Sequence, residues 1–527
     1  MKPERTTWEI GLDARRTVLL LIAVTLLLRV LFAAALGLGI DESYVAAVSR
    51  SLSLSYFDHP PLQFWIVRAT ALLTGHEDAV LLRLPFILLF AGTTWLMYRL
   101  TARCFGESAG AYAAIALNLS AVFSVTSGGW VLPDGPLMFF MLAAATVLAS
   151  LLFENAAAPR HGQWVLFGLL AGCALLSKYD AVFLLAGLFL FLVTSPRHRH
   201  LLATPGPYLA CAAAGVVFLP VLVWNAQHAW VSFAFQGGRA ASRGFMPLRL
   251  LINIAGQAIW VLPWVWVPLV VSLLRAAARG PSSGNQDTVP GRTWFFVCLA
   301  SGPIVVFTLP TLWGAQGLFH WQAPGYLMAF PLLGLATAQR AATAPRLVRA
   351  WLNGSAAVLL LLVVVFGSHA ATGWVGKAVP ALVAGGDPTL EAFDWTDVER
   401  TLRERGLLDP PTGSGLFVVA RHWADAGKLD YALGGRVQVI TLSRSPHHFA
   451  FMHPQAAFLG RDALVIGRTR AMADVVQALA PYFENLQRLE DITLYRRGAP
   501  AIVLTVYLGT HFRGEYPLPY GGGRDRP

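Results

Sequence analysis

The sequence predicts a mainly α, polytopic membrane protein with a small α/β domain at its C-terminal end. Three observations predict it: an apolar composition, a series of apolar runs of span length, and a change of character after residue 370. Of the 527 residues, 56% are hydrophobic and 13% charged, with 17 Trp, a balance that excludes an ordinary soluble globular chain.

Apolar stretches of roughly 17 to 25 residues are long enough to cross a bilayer, and about eleven are read here. They lie near 17–39, 79–100, 108–125, 135–153, 163–177, 181–195, 207–224, 248–274, 293–310, 323–338 and 351–368. The first is long for a removable signal peptide and lacks a small-residue cleavage site, so it reads as a retained helix. With the N-terminus inside, the cytoplasmic segments hold Lys2, Arg5, Arg15 and Arg16, then Arg99 and Arg103, Arg160, Arg197 and Arg199, Arg275, Arg279 and Arg292, and Arg340, Arg346 and Arg349. This is the positive-inside pattern of a multi-pass inner-membrane protein. It accounts for the formal net charge of +11 without a nucleic-acid partner.

Residues 1–370 then form a transmembrane domain with outer-face loops, and 371–527 a soluble periplasmic domain. The tail carries Pro/Gly punctuation and short apolar strings, "GLFVVA", "VQVI", "DALVIG" and "AIVLTVYL", that read as strands between helix-like stretches. The four cysteines, Cys104, Cys173, Cys211 and Cys298, have no paired spacing, which leaves neither a disulfide framework nor a zinc ribbon. There is no GxxxxGK[ST] loop and no GxGxxG after a strand, so a nucleotide-driven pump has no motif to rest on.

The outward segments hold the chemistry. "DESYVAAVSRSLSLSYFDHPPLQFWI", residues 41–66, opens on Asp41 and Glu42 directly after the first run. An acid pair there is ordinarily a solvated helix cap. Tyr44, Val48, Leu52 and Tyr56 recur at near-helical spacing, however, and predict an amphipathic segment in the interface plane. A carboxylate held at such a boundary is partly desolvated, its pKa rises, and it can serve as a base toward a hydroxyl. Asp134 in "LPDGP" reads first as an N-cap. Lys178 of "SKYD" reads equally as a snorkelling interfacial lysine or as a functional cation. Asn225, Gln227 and His228 after the seventh run, and His320 and Trp321 in "FHWQAPGY", suit sugar hydroxyls and stacking but also suit interfacial packing. Asp58, His59, His228 and His320 include ligand types for a divalent cation such as zinc, although no tight His pair fixes them and no cofactor is required. The nearest pair, His447 and His448, falls in the tail.

Taken in order, "DESY", "YFDHPPLQFW", "PDGPLMFF", "LLSKYD", "WNAQHAWVSFAFQ" and "HWQAPGY" resemble the GT-C membrane glycosyltransferases of the protein O-mannosyltransferase superfamily. The likeness is to the bacterial branch, which modifies lipid A and lipopolysaccharide core with aminoarabinose or galacturonic acid, and it covers residues 17 to about 370. It implies a GT-C-like fold and an inverting transfer of a sugar from a polyprenyl-phosphate donor of undecaprenyl type to a membrane-anchored glycan or lipid. It implies a catalytic base at Asp41, with Glu42 beside it. Aminoarabinose-transferring relatives have a lysine where this chain has His59, so that lysine cannot be carried over: either His59 fills the phosphate role as a cation or hydrogen-bond donor, or the donor and acceptor sugars differ. A departing phosphate requires cations already in place, and Lys178, His59, Arg239 and Arg243 are the candidates. Asp58, Tyr56, Asp134, Tyr179, Asn225, Gln227, His228, His320 and Trp321 are the candidates for substrate contact. Two alternatives remain open, a transporter or flippase of a lipid-linked sugar and a protein O-glycosyltransferase. A transporter would place ionisable groups and broken helices at mid-span, whereas here the acids gather at one face.

Overall fold

The computed structural model describes residues 13–154, 160–239, 244–281, 289–383, 385–408 and 415–520. The apolar runs become helices: α1 (Ala14–Ala35), α2 (Ile40–Ser49), α3 (Leu62–Thr74), α4 (Ala79–Phe105), α5 (Glu107–Asn118), α6 (Asp134–Phe153), α7 (His161–Ser177), α8 (Val182–Thr194), α9 (Gly206–Gln227), α10 (Val231–Arg239), α11 (Pro247–Val261), α12 (Pro263–Arg279), α13 (Val289–Thr308), α14 (Ala323–Thr343) and α15 (Pro345–Thr372). Among the described residues, six helical stretches are long and apolar enough to cross a membrane: Ala14–Ala35, Ala79–Phe105, Asp134–Phe153, Gly206–Gln227, Val289–Trp313 and Pro345–Thr372. The run at 248–274, expected as one span, is instead two helices meeting at 110°. Pro263 removes a backbone donor and disfavours helical geometry in the residue before it. Leu262 accordingly turns to φ +81°, and the helix breaks there.

The chain divides into two compact units. The first takes Met1–Leu31, His59–Leu62 and Arg83–Leu362, and is a helical bundle around an apolar core that includes Phe90, Leu148, Phe167, Phe295 and Phe330. Within it α7 packs between α6 and α9. Gly168 makes the α7–α9 approach possible, since a Cβ there would stand 2.2 Å from the Ala210 carbonyl oxygen. In a bundle surrounded by apolar lipid, such close backbone contact is a main source of helix association.

The second unit takes Phe32–Asp58, Gln63–Leu82 and Val363–Pro527. After the short α16 (Trp374–Ala378) and α17 (Asp397–Glu404) come β1 (Phe417–Ala420), α18 (Trp423–Ala432), β2 (Val439–Thr441), β3 (Ala463–Arg468), β4 (Asn485–Arg488), β5 (Ile492–Arg496) and β6 (Ala499–Thr510). The four apolar strings read as strands are β1, β2, β3 and β6. Their sheet runs β2-β1-β3-β6-β4, with β5 also on β6. β1 is parallel to both β2 and β3, with Val418 opposite Val439 on one side and Leu464 on the other, while β3 and β6 are antiparallel. All four β1 residues are buried, as a central parallel strand requires.

α2 belongs to this second unit, and that changes its character. Glu42 through Ser49 are all buried, so α2 is not the surface amphipath expected from the Tyr44, Val48, Leu52 and Tyr56 spacing. The helix ends at Ser49, Leu52 is exposed in the following turn, and Tyr44 and Val48 are core residues. α18 is the element that covers α2. Their contact closes on Gly427, where a Cβ would meet the Tyr44 Cα at 2.7 Å and its backbone nitrogen at 2.8 Å. Gly427→Ala is therefore expected to destabilise this unit by about 1–3 kcal/mol, the usual cost of forcing atoms into a filled contact. The check is a thermal melt of the purified protein, and an unchanged midpoint would contradict the packing described.

Candidate active site

The acid pair splits into two roles. α2 starts at Gly39, whose backbone is extended (φ −64°, ψ 175°), and Glu42 reaches back from the first turn to accept the Gly39 N–H at 2.7 Å. Glu42 is buried and is the helix cap, which removes it as a second candidate base. Asp41 makes no hydrogen bond or ion pair among the described residues. Its side chain is exposed, yet protein crowds its other sides. That crowding, followed by the negative charges of Asp58, Glu391 and Glu42, pushes its pKa up to about 6. A substrate can reach this carboxylate, and water solvates it poorly.

The surroundings of Asp41 are held by the tail. The Lys428 ammonium of α18 is buried and donates to the carbonyls of Leu38 and Phe393, fixing the turn that leads into α2. At the other end of α2, Arg50 makes a forked contact with Glu77, at 2.5 Å and 3.1 Å, and also pairs with Asp430. Burial outweighs that pairing and pushes the Asp430 pKa up to about 6. Between these anchors the Tyr44 hydroxyl donates to Asp58 at 2.8 Å and accepts from the His448 backbone N–H at 3.1 Å. The His448 Nδ1 accepts from the Phe57 N–H at 3.1 Å. Tyr44 lies edge-on to Trp423, and burial, then Asp58, drive its pKa well above the ordinary phenol value. It is a neutral donor that orients Asp58.

A second cluster forms in the helical bundle. Asp134 is the first residue of α6, whose N-cap position is Pro133; its carboxylate accepts from Lys178 at 3.1 Å. Lys178 follows α7 in extended conformation and also lies 3.5 Å from Asp180. It is buried, so neither the capping reading of Asp134 nor the snorkelling reading of Lys178 holds. His320 is within electrostatic range of Asp134, Lys178 and His59, His59 is within range of Asp134, and Arg239 is within range of Asp180. Burial first, then the Lys178 charge, lowers the His320 pKa to about 4, so His320 is a neutral hydrogen-bonding group near neutral pH. Arg239 lies over Phe235 at 4.4 Å and Trp321 at 5.7 Å. Thus His59, Asp134, Lys178, Arg239, His320 and Trp321, drawn from distant segments, come together, joined by Asp180, which sequence reasoning did not single out although it closes the "SKYD" string.

Other candidates are occupied elsewhere. Asn225 is fully buried; its amide donates to the Val221 carbonyl and accepts from the Ser232 N–H, closing the turn from α9 to α10. His228 stacks on Trp224 at 4.0 Å and binds its carbonyl. The Tyr56 hydroxyl serves the turn at Ser51 and Ser53, with its ring stacked on Phe64. Tyr179 packs against Phe218 and Phe233. Gln227 is exposed at the end of α9, and Arg243 lies outside the described residues. Among the described residues, no group of three or more His, Cys, Asp or Glu side chains is gathered to hold a metal ion.

Two comparisons bear on the fold. It is similar to that of ArnT from Cupriavidus metallidurans, bound to undecaprenyl phosphate, with a TM-score of 0.65 over 93% of this chain and 97% of that one at 18% identity; the apo state of the same protein gives 0.64 at 17% identity. The chain has a GT-C-like membrane-protein fold. Within it, residues 58–224 match the family model described as dolichyl-phosphate-mannose-protein mannosyltransferase. The lipid A galacturonosyltransferase RgtD of Rhizobium johnstonii is 30% identical over 190 residues, 36% of this chain and 38% of that protein. The match thus spans less than half the length of this curated relative. The family region contains His59, Asp134, Lys178 and Asp180 and stops short of Arg239 and His320.

Proposed function

We propose that this GT-C protein is an inverting glycosyltransferase of the bacterial inner membrane, moving a sugar from an undecaprenyl-phosphate-type donor to lipid A, lipopolysaccharide core or another membrane-anchored glycan. The observation that carries the reading is Asp41: an accessible carboxylate with no partner among the described residues and a pKa near 6, beside a glutamate already used as the cap. The likeness to a lipid A galacturonosyltransferase and to a protein solved with undecaprenyl phosphate supports the donor and acceptor classes.

In this reading Asp41 takes the proton of an acceptor hydroxyl as its oxygen attacks the anomeric carbon. The bond from that carbon to the phosphate oxygen breaks, and the phosphate leaves with the electron pair. Within the helical unit, Lys178, Arg239 and His59 are the cations suited to a leaving phosphate, while Asp134 and Asp180 hold Lys178 in place. Tyr44 and Asp58 orient the surroundings of the base, and His320 and Trp321 serve a sugar as hydrogen-bonding and stacking groups.

The test is direct. Purified protein given a polyprenyl-phosphate sugar and lipid A should release polyprenyl phosphate and glycosylated lipid, with turnover rising through about pH 6 as Asp41 ionises. Movement of intact donor across a vesicle bilayer without release of sugar would select the flippase reading instead.

The same shift has a stability consequence. The folded pKa of Asp41 lies above its ordinary value, so the folded protein holds this proton more tightly than the unfolded chain does. Stability from this group is highest below about pH 4 and declines as pH rises through 6. Asp41→Asn removes that decline. The variant should melt above wild type at pH 8, and the gap should close toward pH 4. A gap that widens at low pH would contradict the environment described for Asp41.

Orientation is tested separately. With the N-terminus cytoplasmic, reporters fused after Arg197 should read as cytoplasmic and those fused in the tail as periplasmic. A cytoplasmic tail would place Asp41's unit on the wrong side for envelope acceptors.

A further inference from the structure

α1 carries a cation inside its membrane span. Arg29 lies six residues before the end of the helix at Ala35, about 9 Å along its axis at 1.5 Å per residue. A charge at such depth is costly in hydrocarbon and is retained where it meets a partner or a function. The structure builds a holder for it. The guanidinium lies over the Phe90 ring at 4.4 Å. Its Nε donates to the Ser124 carbonyl at 3.1 Å, and its Nη2 donates to the Ser124 hydroxyl at 2.9 Å and to the Asn118 Oδ1 at 3.2 Å. Asn118 is itself oriented, its amide donating to Thr94 at 3.1 Å and to the Ala114 carbonyl at 3.0 Å.

Three features mark this as more than a packed arginine. Ser124 sits in a π-helix, Val122–Ser127, a rare geometry that concentrates at functional sites. A Cβ at the next residue, Gly128, would come within 2.9 Å of the Arg29 Nε, so glycine leaves the guanidinium its room. The fork is also only half used. Every partner of Arg29 is neutral, and its Nη1 makes no hydrogen bond among the described residues. Nη1 is not sealed in either, because the residue is half-buried and this nitrogen is not among the enclosed, unpartnered side-chain atoms. Two N–H donors of a fixed planar cation thus remain for an outside acceptor at membrane depth. Either can make a charge-assisted hydrogen bond to a phosphate oxygen.

The geometry points to a lipid-phosphate site at Arg29, in which the outer nitrogen of the guanidinium holds the phosphate of a membrane lipid against α1. This site is separate from the Lys178 cluster and does not depend on the transfer reaction. The phosphate belongs either to the polyprenyl carrier or to a bulk anionic phospholipid, and one experiment separates the two.

Native mass spectrometry of the purified full chain would be run with undecaprenyl phosphate, with phosphatidylglycerol and with uncharged undecaprenol, for wild type, Arg29→Met and Arg29→Lys. The expected result is at least tenfold weaker retention of a phosphate lipid in Arg29→Met, a smaller loss in Arg29→Lys, which keeps charge but not the fork, and no change for the alcohol. Loss confined to undecaprenyl phosphate assigns the carrier; loss of both phosphate lipids assigns any anionic lipid. Equal retention by wild type and variants overturns the site. A diazirine-bearing polyprenyl or diacyl phosphate photolysed on wild-type protein gives a readout independent of variant folding. Label on the peptides around Arg29 or Phe90 supports the site, and label elsewhere only rejects it.

Discussion

Asp41→Asn is expected to lower sugar transfer by roughly 10²- to 10⁴-fold, the range typical of losing a general base, with little effect on donor binding. Asparagine keeps the size of the side chain but cannot accept the acceptor's proton. Glu42→Gln is the matched control. Because Glu42 caps α2 through one oxygen, the amide oxygen of glutamine can still accept the Gly39 N–H, and turnover should survive. Steady-state rates with a polyprenyl-phosphate sugar and an envelope acceptor decide it. Near wild-type turnover in Asp41→Asn would remove the base from this position, and a dead Glu42→Gln protein would move it by one residue.

Lys178→Met is expected to have the largest effect on the fold. The ammonium stands between Asp134 and Asp180, and all three side chains are no more than 13% exposed. Removing one partner of a buried ion pair typically costs about 3–5 kcal/mol because a charge is left without compensation, and here two carboxylates are left. Abundance in the membrane and the melting midpoint of Lys178→Met should both fall sharply. Adding Asp134→Asn and Asp180→Asn should restore much of both, since no charge is then stranded. The restored triple variant should still use the donor poorly if Lys178 meets the leaving phosphate. A Lys178→Met protein that accumulates and melts like wild type would show that the cluster is not held as described.

The sequence made the apolar runs legible because an amino-acid string of span length carries its own signal. The same holds for the four strands β1, β2, β3 and β6, whose apolar residues are contiguous. The break at Leu262 was hidden because Pro263 sits in an otherwise apolar run, and proline within a membrane helix is often tolerated. The burial of α2 was hidden for a different reason. Its apolar spacing fits an interface as well as a core, and the covering element is some 380 residues away. Asp134 and Lys178 each had a local explanation, cap and snorkel, and their pairing across 44 positions has no sequence signature. Arg29 passed unnoticed as one basic residue in a long apolar helix, since the π-helix that receives it leaves no pattern in "VFSVTS".

The placement of α2 beneath α18 sets a schedule for biogenesis. The segment bearing Asp41 emerges early, but Lys428, Asp430 and His448, which hold it, are made some 380 residues or more later. At the usual 5–20 residues per second, the roughly 380 intervening residues take about 20–75 s to synthesise. During that interval the turn before Asp41 has no ammonium to brace it, and Arg50 has no Asp430 to pair with. A chain interrupted before Lys428 would leave the acid's helix without these supports, so the segment bearing Asp41 becomes organised only after α18 has been made.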